Sequence, residues 1–205
     1  MEEKDVYAEL SSIRELMERS SKFISLSGLS GVLAGVYALA GAGMAHLLLK
    51  DSSTFSSEGA GQYGQDIITK LCAIAIVVLV LSILTACLLS IRNAKAKSVQ
   101  IWNPVSRRML TAMGIPLLSG GLFIVIMLVK GEYSLIAALS LIFYGLSLVS
   151  ASQYTYNEVK WLGILEVILG LLALIIPEQG LILWALGFSL LHILYGSIMY
   201  IKYDR

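Results

Sequence analysis

Charge is what this sequence has least of. Of 205 residues only 14% are Asp, Glu, Lys or Arg, against 57% hydrophobic, where a soluble domain carries roughly 25% charged residues. The net charge is +1, so no bulk field draws a nucleic acid to the chain, and none is expected as a partner. The two histidines, His46 and His192, are too few to assemble a histidine-based metal site. No H-E-x-x-H, Walker loop, C-x-x-C or G-x-S-x-G occurs, so neither an enzyme nor a cofactor is expected. The two cysteines, Cys72 and Cys87, share one apolar run. They are separated by roughly 22 Å of helix, which excludes a disulfide between them within that helix. GAGQYG at 59–64 fits G-x-G-x-x-G, but it lies in a Gly/Ser-rich loop rather than between a strand and a helix, so no nucleotide is expected there.

Long apolar runs are what the chain does have, with the charges confined to clusters between them. A membrane-spanning helix needs about 20 mostly apolar residues. Six runs qualify, at about 23–49, 67–91, 109–129, 134–153, 161–177 and 181–201. The fold class is all-α, a polytopic membrane domain over 23–205, with its lipid bilayer as first partner. Lys4, Arg14, Arg19, Lys22, Arg92, Lys95, Lys97, Arg107, Arg108, Lys160, Lys202 and Arg205 fall on one side. Only Lys50, Lys70 and Lys130 fall on the other, which predicts both termini in the cytoplasm. Ahead of the first span, Val6, Leu10, Ile13 and Met17 form a helical stripe, which predicts a cytoplasmic amphipathic helix over 1–22.

The outer connections, 50–66, 130–133 and 177–180, divide the domain into three hairpins, about 23–91, 109–153 and 161–201. The two short connections predict tight pairing of span 3 with 4 and of span 5 with 6. Tyr144-Gly145 and Tyr195-Gly196 recur at matching places in the returning helices. Small residues mark close-packing faces. In span 1 these are Gly31, Gly35, Ala38, Ala42 and Ala45; the span 5 face is Gly163, Glu166, Gly170, Ala173 and Pro177, and the span 6 face is Ala185, Ser189, His192 and Gly196, with Gly187 a further packing glycine.

One carboxylate interrupts LGILEVILGLL, at Glu166. With the hairpin turn centred on Gln179, Glu166 and His192 each stand 13 residues from it, so both lie about 20 Å from the outer turn. They should be level inside a hydrocarbon core about 30 Å thick. A charge at that depth faces the bundle interior and a partner. His192 is the predicted partner, with Tyr195 and Tyr144 as further members of an intramembrane polar site. Two states are open, a neutral carboxyl or a carboxylate paired with imidazolium. Two roles are open as well, a structural clasp between helices and a proton-responsive site.

The segment WLGILEVILGLLALIIPEQGLILWALGFSLLHILYGSIMY, 161–200, resembles the hairpin repeat of HdeD-type bacterial membrane proteins. Gly163, Gly170, Pro177, Gly187 and Gly196 carry the likeness. The C-terminal part also resembles uncharacterised six-span bacterial membrane proteins. The resemblance implies six spans in three hairpins and an association with acid resistance. The function expected is that of a non-enzymatic, stress-related or proton-responsive accessory protein. A small proton or solute transporter or channel, and a structural subunit docked on a second copy or another membrane protein, are the alternatives.

Overall fold

The computed structural model describes residues 27–55, 64–98 and 100–204, with the side chains of 52–55 left out. The amphipathic helix expected over 1–22 and residues 56–63 of the 50–66 loop lie outside these residues, while 50–55 continue α1 as helix. The described residues are almost entirely helical and contain no strand. The elements are α1 (Gly28–Phe55), α2 (Gln65–Ala96), α3 (Pro104–Lys130), α4 (Ile136–Ala151) and α5 (Asn157–Ile175). A final rod follows, made of α6 (Gly180–Ala185), a π segment (Leu186–Leu191), α7 (His192–Met199) and a closing π segment (Tyr200–Asp204). Ala185, Leu186, Leu191, His192 and Tyr200 all keep right-handed helical angles, so the rod is continuous.

Local chemistry sets the ends. Asn103 accepts from the Ser106 amide while the Ser106 hydroxyl accepts from the Asn103 amide, and Pro104 supplies a preset first residue. This reciprocal cap starts α3 at Pro104, ahead of the apolar run that begins near 109. Gly131, at φ 77°, closes α3 in the left-handed conformation and turns the chain within two residues. α5 stops at Ile175 because Ile176, the residue ahead of Pro177, leaves the helical region, at φ −126° and ψ 73°.

Among the described residues, five segments are long and apolar enough to cross a membrane: Gly28–Asp51, Gln65–Ala96, Pro104–Lys130, Tyr133–Tyr154 and Pro177–Asp204. The sixth expected span, α5, is 19 residues long and carries Glu158, Lys160 and Glu166, so by composition it falls short of the other five. Multiple helices of this kind mark a multi-pass membrane protein. Exposure agrees: nothing in the most apolar window of α2 is buried, and Leu79, Ile83, Leu118 and Val129 on α2 and α3 face outward. Such surfaces suit hydrocarbon.

Packing departs from the expected pairing of spans 5 and 6. α5 lies most closely along α4, and α7 lies most closely along α1. Glycines explain both approaches. A Cβ on Gly163 would stand 2.7 Å from the Gly145 carbonyl oxygen, and one on Gly145 2.6 Å from that of Gly163. Gly170 meets the Ala138 carbonyl at 2.9 Å in the same sense. The small face of α5 is therefore spent on α4. On the other side, Gly196 abuts the Gly28 carbonyl and the Val32 amide, while Gly31 abuts Gly196 and Gly35 the Ser189 carbonyl. The rod thus bridges α1 on one side and α4–α5 on the other, with Ala138, Leu141 and Ala173 at the core, packed by Leu169, Leu183, Trp184 and Phe188.

Candidate functional site: a buried Glu–His–Tyr cluster

The α4–α5 crossing and the rod converge on Glu166. Its side chain is fully buried, 0% exposed, and neither carboxyl oxygen has a hydrogen-bond partner among the described residues. Oε1 lies 3.4 Å from His192 Nδ1. Oε2 occupies the space that a Cβ on Gly187 would need, since that Cβ would stand 2.5 Å from it and 2.6 Å from Leu141 Cδ2. Gly187 therefore makes room for a carboxylate, whereas Gly31, Gly35, Gly163, Gly170 and Gly196 let backbones meet.

His192 is held from both ends of its ring. Nδ1 is 3.0 Å from the Gly187 carbonyl, five residues back across the π segment, and Nε2 is 2.8 Å from the Tyr144 hydroxyl. A carbonyl only accepts, so Nδ1 carries a hydrogen and donates it to Gly187. In the neutral imidazole Nε2 must then accept, and Tyr144 donates to it. This chain of partners fixes the tautomer. Aromatic rings wall the cluster: Phe188 lies 5.0 Å from the Tyr144 ring and 5.8 Å from the His192 ring, and Trp184 lies 4.9 Å from Phe188.

The structure brings Glu166, His192 and Tyr144 together. Tyr195 is half-buried and makes no hydrogen bond or ring contact with the cluster among the described residues. His46 is exposed and borders a cleft between α1 and the rod lined by Leu39, Ala42, Leu181, Ala185 and Leu190. Among the described residues no group of three or more His, Cys, Asp or Glu side chains is placed to hold a metal ion. Cys72 and Cys87 are free thiols.

A second polar centre escaped the sequence reading. Asp204, at the end of the rod, accepts from the Gly28 amide at 2.8 Å, the Ser27 hydroxyl at 2.9 Å and Asn93 Nδ2 at 2.9 Å. One carboxylate thereby caps α1 and ties it to the end of α2 and to the rod. Nothing in sequence links residues 176 positions apart. Nearby, Glu158 accepts from Lys202 at 2.5 Å and Tyr203 at 3.0 Å, and the Tyr156 and Tyr203 rings stack at 3.9 Å. Burial pulls the Glu158 carboxyl upward, but hydrogen bonds from Lys202, its own backbone amide and Tyr203 outweigh it, so the group sits below its ordinary value.

No family model matches the chain, and no curated protein or solved structure is similar to it.

Proposed function

We propose that the chain is a non-enzymatic, six-span protein of a bacterial inner membrane, with both termini cytoplasmic, in which Glu166 and His192 take up and release a proton. The observation that carries this is the state of Glu166, fully buried, without a donor to either oxygen, and 3.4 Å from an imidazole nitrogen. A purely structural clasp would satisfy its carboxylate, because an unpartnered charge in a bundle interior costs several kcal/mol. Here the hydrogen that could satisfy it is given to the Gly187 carbonyl instead.

That competition supplies a mechanism. With Glu166 neutral, Nδ1–H stays on Gly187. With Glu166 ionised, the carboxylate competes for Nδ1–H and draws it from the π segment. If the imidazole gains a proton, Nε2–H donates to Tyr144 and the tyrosine hydrogen must turn away. Each change alters the bonds that hold the rod against α4 and α5. π segments inside helices are frequent at functional sites. The accessory, stress-related reading draws further support from the resemblance of 161–200 to HdeD-type repeats. The transporter alternative requires a polar route, and the cleft between α1 and the rod is apolar apart from His46.

Trp184 is a native reporter, one ring removed from the cluster. In a Trp102→Phe, Trp161→Phe background its fluorescence should change with pH, and the change should vanish in Glu166→Gln and His192→Gln. Identical pH profiles in the parent and in Glu166→Gln would overturn the proposal.

A further inference from the structure

A cleft of about 520 Å³ opens beside the start of α3, lined by Arg107, Arg108, Thr111, Ala112, Ile115 and Tyr154. Its chemistry is one-sided. No acidic side chain lines it, and the first turn of α3 contains none. Two guanidinium groups therefore sit near the positive end of the helix dipole, where cations are disfavoured and anions favoured. Neither arginine has an ion pair among the described residues. The reciprocal Asn103–Ser106 cap already uses backbone donors of that end, so the attraction for an anion comes from the side chains.

The other end of the cleft is apolar. Ala112 and Ile115 continue along α3 into the span, about 10 Å of rise beyond Arg108. The exposed Trp102 stands just ahead of the helix start, and the half-buried Tyr154 lines the cleft, the aromatic composition of a membrane–water interface. A ligand that fits must be anionic at one end and hydrocarbon at the other, at interfacial depth. Basic pockets between membrane helices bind anionic lipid head groups. We infer that this cleft is a binding site for one anionic glycerophospholipid, its phosphate on Arg107 and Arg108 and an acyl chain along Ala112 and Ile115. The inference rests on the membrane reading of the helices and is independent of the Glu166 cluster.

The test is native mass spectrometry of the detergent-purified full chain with added phosphatidylglycerol, phosphatidylcholine or inorganic phosphate. Wild type should retain one phosphatidylglycerol in preference to phosphatidylcholine. Arg107→Gln/Arg108→Gln should lose roughly thirty-fold in that affinity, and Lys95→Gln, a charge removed elsewhere on the same side, should not. Ile115→Asn should weaken the lipid while leaving the arginines in place. Circular dichroism on each variant separates a lost site from a lost fold, and the single variants Arg107→Gln and Arg108→Gln, each weakening binding in part, serve if the double variant unfolds. Equal retention of both lipids, equal loss in Lys95→Gln, or displacement of the lipid by millimolar inorganic phosphate would each overturn the inference.

Discussion

Replacing Gly163 by alanine tests the packing on which the cluster depends. The new Cβ would stand 2.7 Å from the Gly145 carbonyl oxygen and 2.9 Å from the Val149 amide nitrogen and Val149 Cγ2. Comfortable contact begins near 3.4 Å, so α4 and α5 must part by about 0.7 Å, the difference between 3.4 and 2.7. Two of the three obstacles are backbone atoms, which no rotamer change can relieve. Overpacking of this kind costs about 1–3 kcal/mol. Gly145→Ala meets the reciprocal obstacle and should cost a similar amount. The double variant should cost less than the sum, because the first methyl has already opened the crossing, with a coupling of about 0.5–3 kcal/mol. Gly121, where a Cβ meets nothing within 4 Å, is the control, and Gly121→Ala should stay within about 0.5 kcal/mol of wild type. The assay is equilibrium unfolding in mixed detergent micelles, followed by circular dichroism. Wild-type stability in Gly163→Ala, or an equal loss in Gly121→Ala, would refute the reasoning.

Three other outcomes follow from particular contacts. Asp204→Ala removes the acceptor of the Ser27, Gly28 and Asn93 donors and should destabilise the protein by about 3 kcal/mol in the same assay, with Asp204→Asn recovering part of it. Glu158 sits below its ordinary value in the folded chain, so its pairing with Lys202 and Tyr203 stabilises fully above about pH 4.3 and is lost as the pH falls through the folded value. The stability gap between wild type and Glu158→Gln should therefore be constant at neutral pH and close in acid. In liposomes carrying an internal pH dye, the purified protein should show no sustained proton flux above empty liposomes, because Glu166 is sealed and the cleft between α1 and the rod is apolar apart from His46. Flux that disappears in Glu166→Gln would instead favour the transporter reading.

Much of the architecture can be read from composition. Apolar runs bounded by charge locate the helices but not their ends: α1 runs to Phe55 rather than about 49, and α2 to Ala96 rather than about 91, because a helix can continue into polar residues beyond the hydrocarbon. The level of Glu166 with His192 was legible too, since a Pro177-bounded turn and a fixed rise per residue set both depths. The partner of each glycine face was not. Gly163 and Gly170 announce a close approach without saying to what, and the approach proves to be α4 rather than the rod. Gly187 looked like another packing glycine, yet its missing side chain houses a carboxylate oxygen. Spacing along the rod favours Tyr195, one turn from His192 on the same helix, and only the three-dimensional arrangement decides that Tyr144 fills Nε2. Asp204 gave no signal, because an acid near a chain end is ordinary until two distant helices are folded against it.

The central claim is that Glu166 exchanges a proton while buried. Infrared difference spectroscopy of the reconstituted protein across a pH step reads that exchange directly, through the carbonyl stretch of a protonated carboxyl group. The account predicts a band that appears and disappears reversibly with pH in wild type and is absent in Glu166→Gln. A spectrum without any Glu166-dependent band change, over the whole pH range in which the protein stays folded, would contradict it.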